Sequence, residues 1–238
     1  MVVHRSDCGE RRADRPATAV LPPVLRRWLG IVAGIAALVV AGLGVAYAGD
    51  SASGALDSWV MDPTADSIGP PWRAVALATD FLGEPVGAAA LIAAAVAGCL
   101  LLRRPRAAVH AVVAVAVAVG VGKVLKYAVG RTIHGPDNLS YPSGHTTFLT
   151  ALALVLALLV VGRFGLGRAV GLVVVLSASL VAGAVMGWAE VALSAHYATD
   201  AVGGWCTALV VVPATARAVD TVADRANRTA DAGEMTGG

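Results

Sequence analysis

Six nearly continuous apolar segments dominate the sequence and limit what it can fold into. They span residues 29–48, 80–102, 107–127, 146–161, 169–193 and 198–212. A helix needs about 20 apolar residues to cross a bilayer, so four segments are long enough and the fourth and sixth are short. Hydrophobic residues make up 57% of the chain and charged residues 14%, which is too apolar for a water-soluble fold of ordinary proportions. The sequence predicts an all-α integral membrane protein with six transmembrane helices.

The six segments define one membrane domain, over residues 29–215. Residues 1–28 and 216–238 are polar and are interpreted as disordered tails. Because a long arginine-rich stretch precedes the first segment, we interpret that segment as a span and not as a cleaved signal peptide. The net charge of +2 comes mainly from arginines beside the spans, so no nucleic-acid partner is predicted.

The arginines also predict the orientation. They cluster before the first segment, after the second and after the fourth: Arg5, Arg11, Arg12, Arg15, Arg26 and Arg27, then Arg103, Arg104 and Arg106, then Arg163 and Arg168. Under the positive-inside rule these groups and both termini are cytoplasmic. The alanine-rich, arginine-over-lysine composition is typical of a high-GC bacterial gene, so the expected location is a bacterial plasma membrane. Three cysteines, Cys8, Cys99 and Cys206, have no metal-site spacing, and we predict neither a disulfide nor a zinc site.

Polar residues gather at the predicted outer ends of the spans. Lys123, Lys126 and Arg131 end the third span, "YPSGH" (141–145) opens the fourth, and "HYATD" (196–200) joins the fifth to the sixth. His196 and Asp200 lie four residues apart, so a helix places both on one face. Each feature alone has an ordinary interpretation: lysines snorkel to the membrane surface, and a buried histidine is often merely hydrogen-bonded by a carboxylate.

Together these residues suit phosphoryl transfer. Cations and loop N–H groups would hold the phosphate oxygens, one histidine would attack phosphorus, and the other would protonate the leaving oxygen. If arginine and lysine neutralise the charge, no metal and no cofactor is needed.

The paired motifs "YPSGH" and "HYATD" resemble the second and third signatures of the type 2 phosphatidic acid phosphatase superfamily, over residues 81–212. The resemblance implies a helical membrane bundle in which His196 is the nucleophile that forms a phosphohistidine and Asp200 orients it. It also implies that His145 is the general acid and then the base for water. Ser143, Gly144 and Lys126 would bind phosphate.

The sequence departs from the family pattern at two cationic positions. Ile133 and His134 stand where the first motif has Arg-Pro, and Ala189 and Glu190 stand where the third begins Ser-Arg. Arg131 is the predicted substitute for the first of these cations. For the second there are two interpretations: Glu190 points away and pairs with Lys123 or Arg73, or Lys123, one helical turn before Lys126, replaces the missing cation as a phosphate ligand. Asp80 and Glu84 are interpreted as the end of a hydrated loop, the alternatives being a border to the lipid entrance or partners of the clamp cations.

The resemblance implies metal-independent hydrolysis of a membrane lipid phosphate or pyrophosphate at the extracytoplasmic face. Polyprenyl pyrophosphates such as undecaprenyl pyrophosphate, and phosphatidic acid, are candidate substrates. The alternative is a catalytically impaired lipid-phosphate binder or scaffold, which Ile133 and Glu190 favour. A transporter is a weaker alternative, since no inverted repeat is evident.

Overall fold

The computed structural model describes residues 19–236, apart from the side chains of 65–67 and 230–236. The described residues form a short 3-10 helix, Pro23–Leu25, and eight α-helices. The helices are α1 (Arg26–Ala46), α2 (Ala55–Ser67), α3 (Pro70–Phe81), α4 (Pro85–Leu101), α5 (Pro105–Val129), α6 (Gly144–Phe164), α7 (Arg168–Ala192) and α8 (Ala198–Thr236).

Among the described residues, five helices are long and apolar enough to cross a membrane: α1, with the preceding 3-10 turn, and α5, α6, α7 and α8. Helices α3 and α4 pass the same test as a pair bent by 61° and would make a sixth span. The prediction of an all-α polytopic bundle is confirmed. The second segment, expected as one span over 80–102, is instead broken between Phe81 and Pro85, because a proline starts the new helix without needing a hydrogen-bonded N–H.

Helix α6 lies at the centre of the bundle and packs against α5, α7 and α8, while α1 packs on α8 and α3 on α7. In the most apolar 18-residue stretch of each helix, 56% of α6 is buried and 22% of α1. A helix that is apolar all round and buried is typical of the middle of a bundle. The outer helices keep large side chains such as Leu38, Val45 and Leu101 exposed, which suits contact with lipid.

Local sequence signals place the loop between α5 and α6 at one end of the bundle. Gly130 ends α5 with a φ of 66°, a left-handed conformation that costs glycine little. Ser143 begins α6, and its hydroxyl accepts a hydrogen bond from the Thr146 N–H at 3.1 Å, which satisfies one free donor of the first turn. Gly204 lets α8 approach, since a Cβ there would lie 2.6 Å from the Ser143 carbonyl oxygen.

Some of the residues that we assigned to the two tails pack on the bundle. Residues 1–18 lie outside the described residues, but Leu21 and Leu25 are fully buried. On the C-terminal side, α8 continues to Thr236. Its Asp220 carboxylate accepts hydrogen bonds from the Val20 and Leu21 N–H groups at 2.7 and 3.0 Å. The alanine-rich sequence after residue 216 favours helix, and composition alone could not show this contact.

Candidate active site

A cavity of about 660 Å³ opens at the end of the bundle where α5 and α7 end and α6 and α8 begin. Lys123, Lys126, His145 and His196 line its polar end, together with Gly144. The rest of its wall is apolar and comes mainly from α4 and α5. The structure therefore brings together the two histidines and both lysines that the sequence predicted to share one site.

His196 is oriented as predicted. Its Nδ1 lies 3.5 Å from Asp200 Oδ2, and its side chain is 12% exposed. Asp200 Oδ2 also accepts the Tyr197 N–H at 3.1 Å, and Oδ1 accepts Arg131 at 2.8 Å. Both carboxylate oxygens of Asp200 therefore accept hydrogen bonds. The other ring nitrogen of His196, Nε2, faces the site.

Arg131 does not line the cavity, so its predicted role as a phosphate ligand is wrong in this structure. The side chain is fully buried and forms ion pairs with Asp200 and, at 2.6 Å, with Asp57. Its guanidinium also lies between the rings of Tyr47 and Tyr197, 4.0 and 4.1 Å from their centroids. The reason is electrostatic: two buried carboxylates bind the cation behind the site. Tyr197 is itself buried.

Asp57 is a site residue that sequence reasoning missed. It lies in the first turn of α2 and is fully buried. Its Oδ1 accepts the N–H and hydroxyl of Thr199 at 2.9 and 2.8 Å. Burial alone would raise the pKa of Asp57, but hydrogen bonds from the Thr199 N–H and Arg131 outweigh it and hold the pKa below its ordinary value. Asp57 thereby fixes the first turn of α8, which carries Asp200.

Glu190 lies between the two histidines, and the expectation that it points away is wrong. It is fully buried on α7. Its Oε1 lies 3.3 Å from His145 Nδ1 and 3.7 Å from His196 Nε2. Its Oε2 accepts hydrogen bonds from the hydroxyls of Ser143 and, at 2.9 Å, Thr146. Ser143, predicted to bind phosphate, is therefore bound to a carboxylate of the chain, as is Thr146, which we did not predict.

His145 lies against the turn between α3 and α4. A Cβ on Gly83 would lie 2.0 Å from His145 Cδ2, so only glycine permits this contact. The turn carries Asp80 and Glu84, whose carboxylate oxygens lie 3.9 and 3.7 Å from His145 Nε2. These two acids do more than end a hydrated loop, because the helix break turns them towards the site.

The remaining candidates divide between the cavity and the surface. Lys126 lines the cavity and donates one hydrogen bond to the Leu139 carbonyl at 2.7 Å, which leaves two of its N–H donors for a ligand. Lys123 lies one helical turn earlier on the same wall. His134 is exposed in the loop, with Nε2 2.6 Å from the Ser194 carbonyl oxygen.

The fold and site define an integral membrane protein with a two-histidine, carboxylate-lined centre at one end of a helical bundle. Residues 107–224 match the family model of the PAP2 superfamily. No curated protein sequence matches the chain. The chain belongs to the PAP2 superfamily, as the motifs predicted.

The fold is also similar to a solved structure, that of the first transmembrane PAP2 type phosphatidylglycerolphosphate phosphatase from Bacillus subtilis. The likeness covers 81% of this chain and 96% of that one, with a TM-score of 0.63 and 20% sequence identity. At this identity the likeness supports the shared fold.

Proposed function

We propose that this protein hydrolyses a membrane lipid phosphate or pyrophosphate through a phosphohistidine on His196. One observation carries the proposal: His145 Nδ1, from α6, and His196 Nε2, from the turn before α8, lie 3.3 and 3.7 Å from the same carboxylate oxygen of Glu190. A nucleophile and a proton donor that converge on one anionic oxygen have the arrangement needed to exchange a phosphoryl group for a proton.

The shape of the cavity supports a lipid as the substrate. From the histidines the wall continues along α5 from Lys123 to Val112, a length of roughly 16 Å at 1.5 Å per residue. Its lining there is apolar, with Ala88 and Ile92 from α4 and Phe148 from α6. A hydrocarbon tail would lie in this groove and a phosphate at its polar end, beside both lysines.

The geometry supports the following chemical steps. His196 Nε2 attacks phosphorus and forms the P–N bond while the bond from phosphorus to the leaving oxygen breaks and His145 protonates that oxygen. Asp200 stabilises the positive charge that develops on the His196 ring, because it lies 3.5 Å from Nδ1. Water then attacks phosphorus as His145 takes its proton, the P–N bond breaks, and inorganic phosphate leaves. No metal takes part in these steps.

Glu190 and the phosphate would be alternative occupants of one place. The Glu190 carboxylate accepts hydroxyls from Ser143 and Thr146 and lies beside both histidines, so it occupies the contacts that phosphate oxygens would make. Substrate binding therefore requires this side chain to shift. Lys123 and Lys126 then carry the phosphate charge, because Arg131 is held behind the site.

The distribution of arginines supports an extracytoplasmic site. Arg103 and Arg104 follow α4, and Arg163 and Arg168 flank the α6–α7 turn. These ends of the helices are opposite to the end that carries the histidines. The positive-inside rule would leave the site on the outer face of the plasma membrane.

A second candidate is a lipid-phosphate binder without turnover, which the buried Glu190 between the histidines favours. Phosphate release separates the two. The purified protein would be assayed with EDTA on a panel of lipid monophosphates and diphosphates, against His196→Ala and, as a matched control, the exposed loop variant His134→Ala. Release by the wild type and His134→Ala, but not by His196→Ala, supports the phosphatase. Lipid binding by all three folded proteins without release supports the binder.

A further inference from the structure

We propose that Asp80, Glu84 and His145 bind a divalent transition-metal ion of the Zn²⁺ type, and that the bound ion inhibits the site. The inhibitory part rests on the proposed phosphatase function, whereas the binding site rests on geometry alone. The sequence predicted no metal, on the ground that arginine and lysine neutralise the phosphate charge; Asp80 and Glu84 are far from His145 along the chain.

The three side chains have the donors and spacing of a zinc site. One ligand atom from each lies within 4.8 Å of the other two, and His145 Nε2 is 3.9 and 3.7 Å from the oxygens of Asp80 and Glu84. Bonds of about 2.0–2.2 Å from tetrahedral zinc to nitrogen and oxygen imply donors roughly 3.3–3.5 Å apart. Closing the site would shorten the two distances from His145 Nε2 by about half an ångström or less, and the distance between the Asp80 and Glu84 oxygens by up to roughly 1.3 Å.

The fold presents the two carboxylates from a tight turn. Asp80 lies in the last turn of α3 and Glu84 immediately precedes α4. The Gly83 N–H donates to the Asp80 carbonyl at 2.8 Å, and the Glu84 N–H donates to the Phe81 carbonyl at 3.2 Å. Since Gly83 has no side chain, this hydrogen-bonded turn reaches the imidazole. Two ligands are therefore fixed on one turn, and the third comes from α6.

A second, independent observation is the polar group on the other side of the imidazole. His145 Nε2, the ring nitrogen that faces Asp80 and Glu84, is buried and has no hydrogen-bond partner. Its other ring nitrogen, Nδ1, lies 3.3 Å from Oε1 of Glu190, whose side chain is 1% exposed. Metal-binding histidines commonly direct their other ring nitrogen to a carboxylate, which fixes the tautomer. A proton on Nδ1 facing Glu190 leaves the Nε2 lone pair directed at the acids.

The negative charge around His145 also favours a bound cation. Three carboxylates, those of Asp80, Glu84 and Glu190, surround His145 in a site that is proposed to bind an anion. The lysines lie on the α5 wall and form no ion pair with these acids within 4 Å among the described residues. A divalent cation at Nε2 would neutralise the two acids that face it.

The bound ion would inhibit hydrolysis because it occupies Nε2 and prevents His145 from becoming an imidazolium, the form that gives up its Nδ1 proton readily. A histidine ligated through Nε2 carries only the Nδ1 proton, and losing that proton would leave an imidazolate. His145 would then be unable to protonate the leaving oxygen. Glu84 is half-exposed, at 51% of its side chain, so an ion could enter from the surface.

The test is calorimetric titration of ZnCl₂ into the purified, tag-free protein in detergent. The wild type is compared with the double variant Asp80→Asn/Glu84→Gln and with Asp137→Asn, which removes an exposed carboxylate from the α5–α6 loop. We expect saturable binding of one ion per chain by the wild type and Asp137→Asn, and binding at least about 100-fold weaker in the double variant. Equal affinity in all three folded proteins, or no saturable binding by the wild type, would overturn the site.

A second measurement addresses inhibition and the tautomer. Phosphate release would be measured with Zn²⁺ and with EDTA on the same sample, and we expect Zn²⁺ to inhibit the wild type but not the double variant. Binding without inhibition of an active enzyme refutes the inhibitory part. If the wild type hydrolyses no lipid, the titration still decides the metal site, so the two proposals fail separately. Glu190→Gln should weaken Zn²⁺ binding by about 10–100-fold if it orients His145, and unchanged affinity refutes that role.

Discussion

Replacing Glu190 by glutamine should increase phosphatase activity. The substitution keeps an oxygen that accepts the Ser143 and Thr146 hydroxyls and removes the charge that faces the phosphate. Phosphate oxygens in contact with both histidines would lie about 4 Å from the carboxylate, where two unit charges repel by about 4 kcal/mol at an effective dielectric constant of 20. His145 loses a favourable charged neighbour at the same time. We therefore expect a net gain of about 2 kcal/mol, or roughly 30-fold in kcat/KM.

The assay is kcat/KM for phosphate release from a lipid phosphate, measured with EDTA so that bound metal does not contribute. Glu84→Gln is the matched control, because it removes the same charge from the half-exposed rim, where solvent and salt screen it, and we expect a clearly smaller gain. If Glu190→Gln is folded and kcat/KM is unchanged or reduced, Glu190 does not compete with phosphate, and the argument from its position is refuted.

Three further outcomes follow from the same contacts. Arg131→Met would leave two buried carboxylates unpaired and should lower the free energy of unfolding by about 3–5 kcal/mol in denaturant titrations; a loss below 1 kcal/mol would contradict the buried pairing. Because the folded-state pKa of Asp57 lies below 3.8, its stabilising contribution is complete above that pH and is lost as pH falls through the lowered pKa. The wild-type Tm should therefore fall more steeply in acid than that of Asp57→Asn, and parallel curves would contradict this. Gly83→Ala should displace His145 and lower kcat by at least about tenfold, whereas Gly98→Ala, with open space around it, should not.

The sequence predicted the parts of the site that lie close together along the chain. Six apolar segments predicted the bundle. The spacing of His196 and Asp200 predicted that the two side chains lie close together, and they do, although His196 lies in the turn before α8 and not on a helix. Arginines at alternate ends of the spans, together with the motifs, predicted that the histidines and both lysines lie at the same end of the bundle. In the structure these four side chains line one cavity. These inferences depend on helix periodicity and on charge, which a single sequence carries.

The partners of the charged residues could not be predicted in the same way. Arg131 pairs with Asp57, 74 positions earlier in the chain, and no local pattern marks that aspartate as buried. The position of Glu190 depends on how α7 packs on α6, since both hydroxyls that it accepts come from the first turn of α6. The approach of Asp80 and Glu84 to His145 depends on the helix break and on a glycine contact.

The charges in the site explain how Arg131 and Glu190, which mark the two departures from the family motifs, are related. Arg131 is enclosed by two carboxylates and two aromatic rings, so it stabilises Asp200 and is not available to a substrate. The position where the family has arginine carries Glu190, whose buried negative charge is met by the hydroxyls and the histidines. When no anion is bound, the Glu190 carboxylate accepts the hydrogen bonds of the Ser143 and Thr146 hydroxyls and lies beside both histidines. Under the proposed function, the centre is stable when empty and binds phosphate only when the Glu190 side chain shifts. Affinity for substrate and stability of the empty site should therefore change in opposite directions at this position.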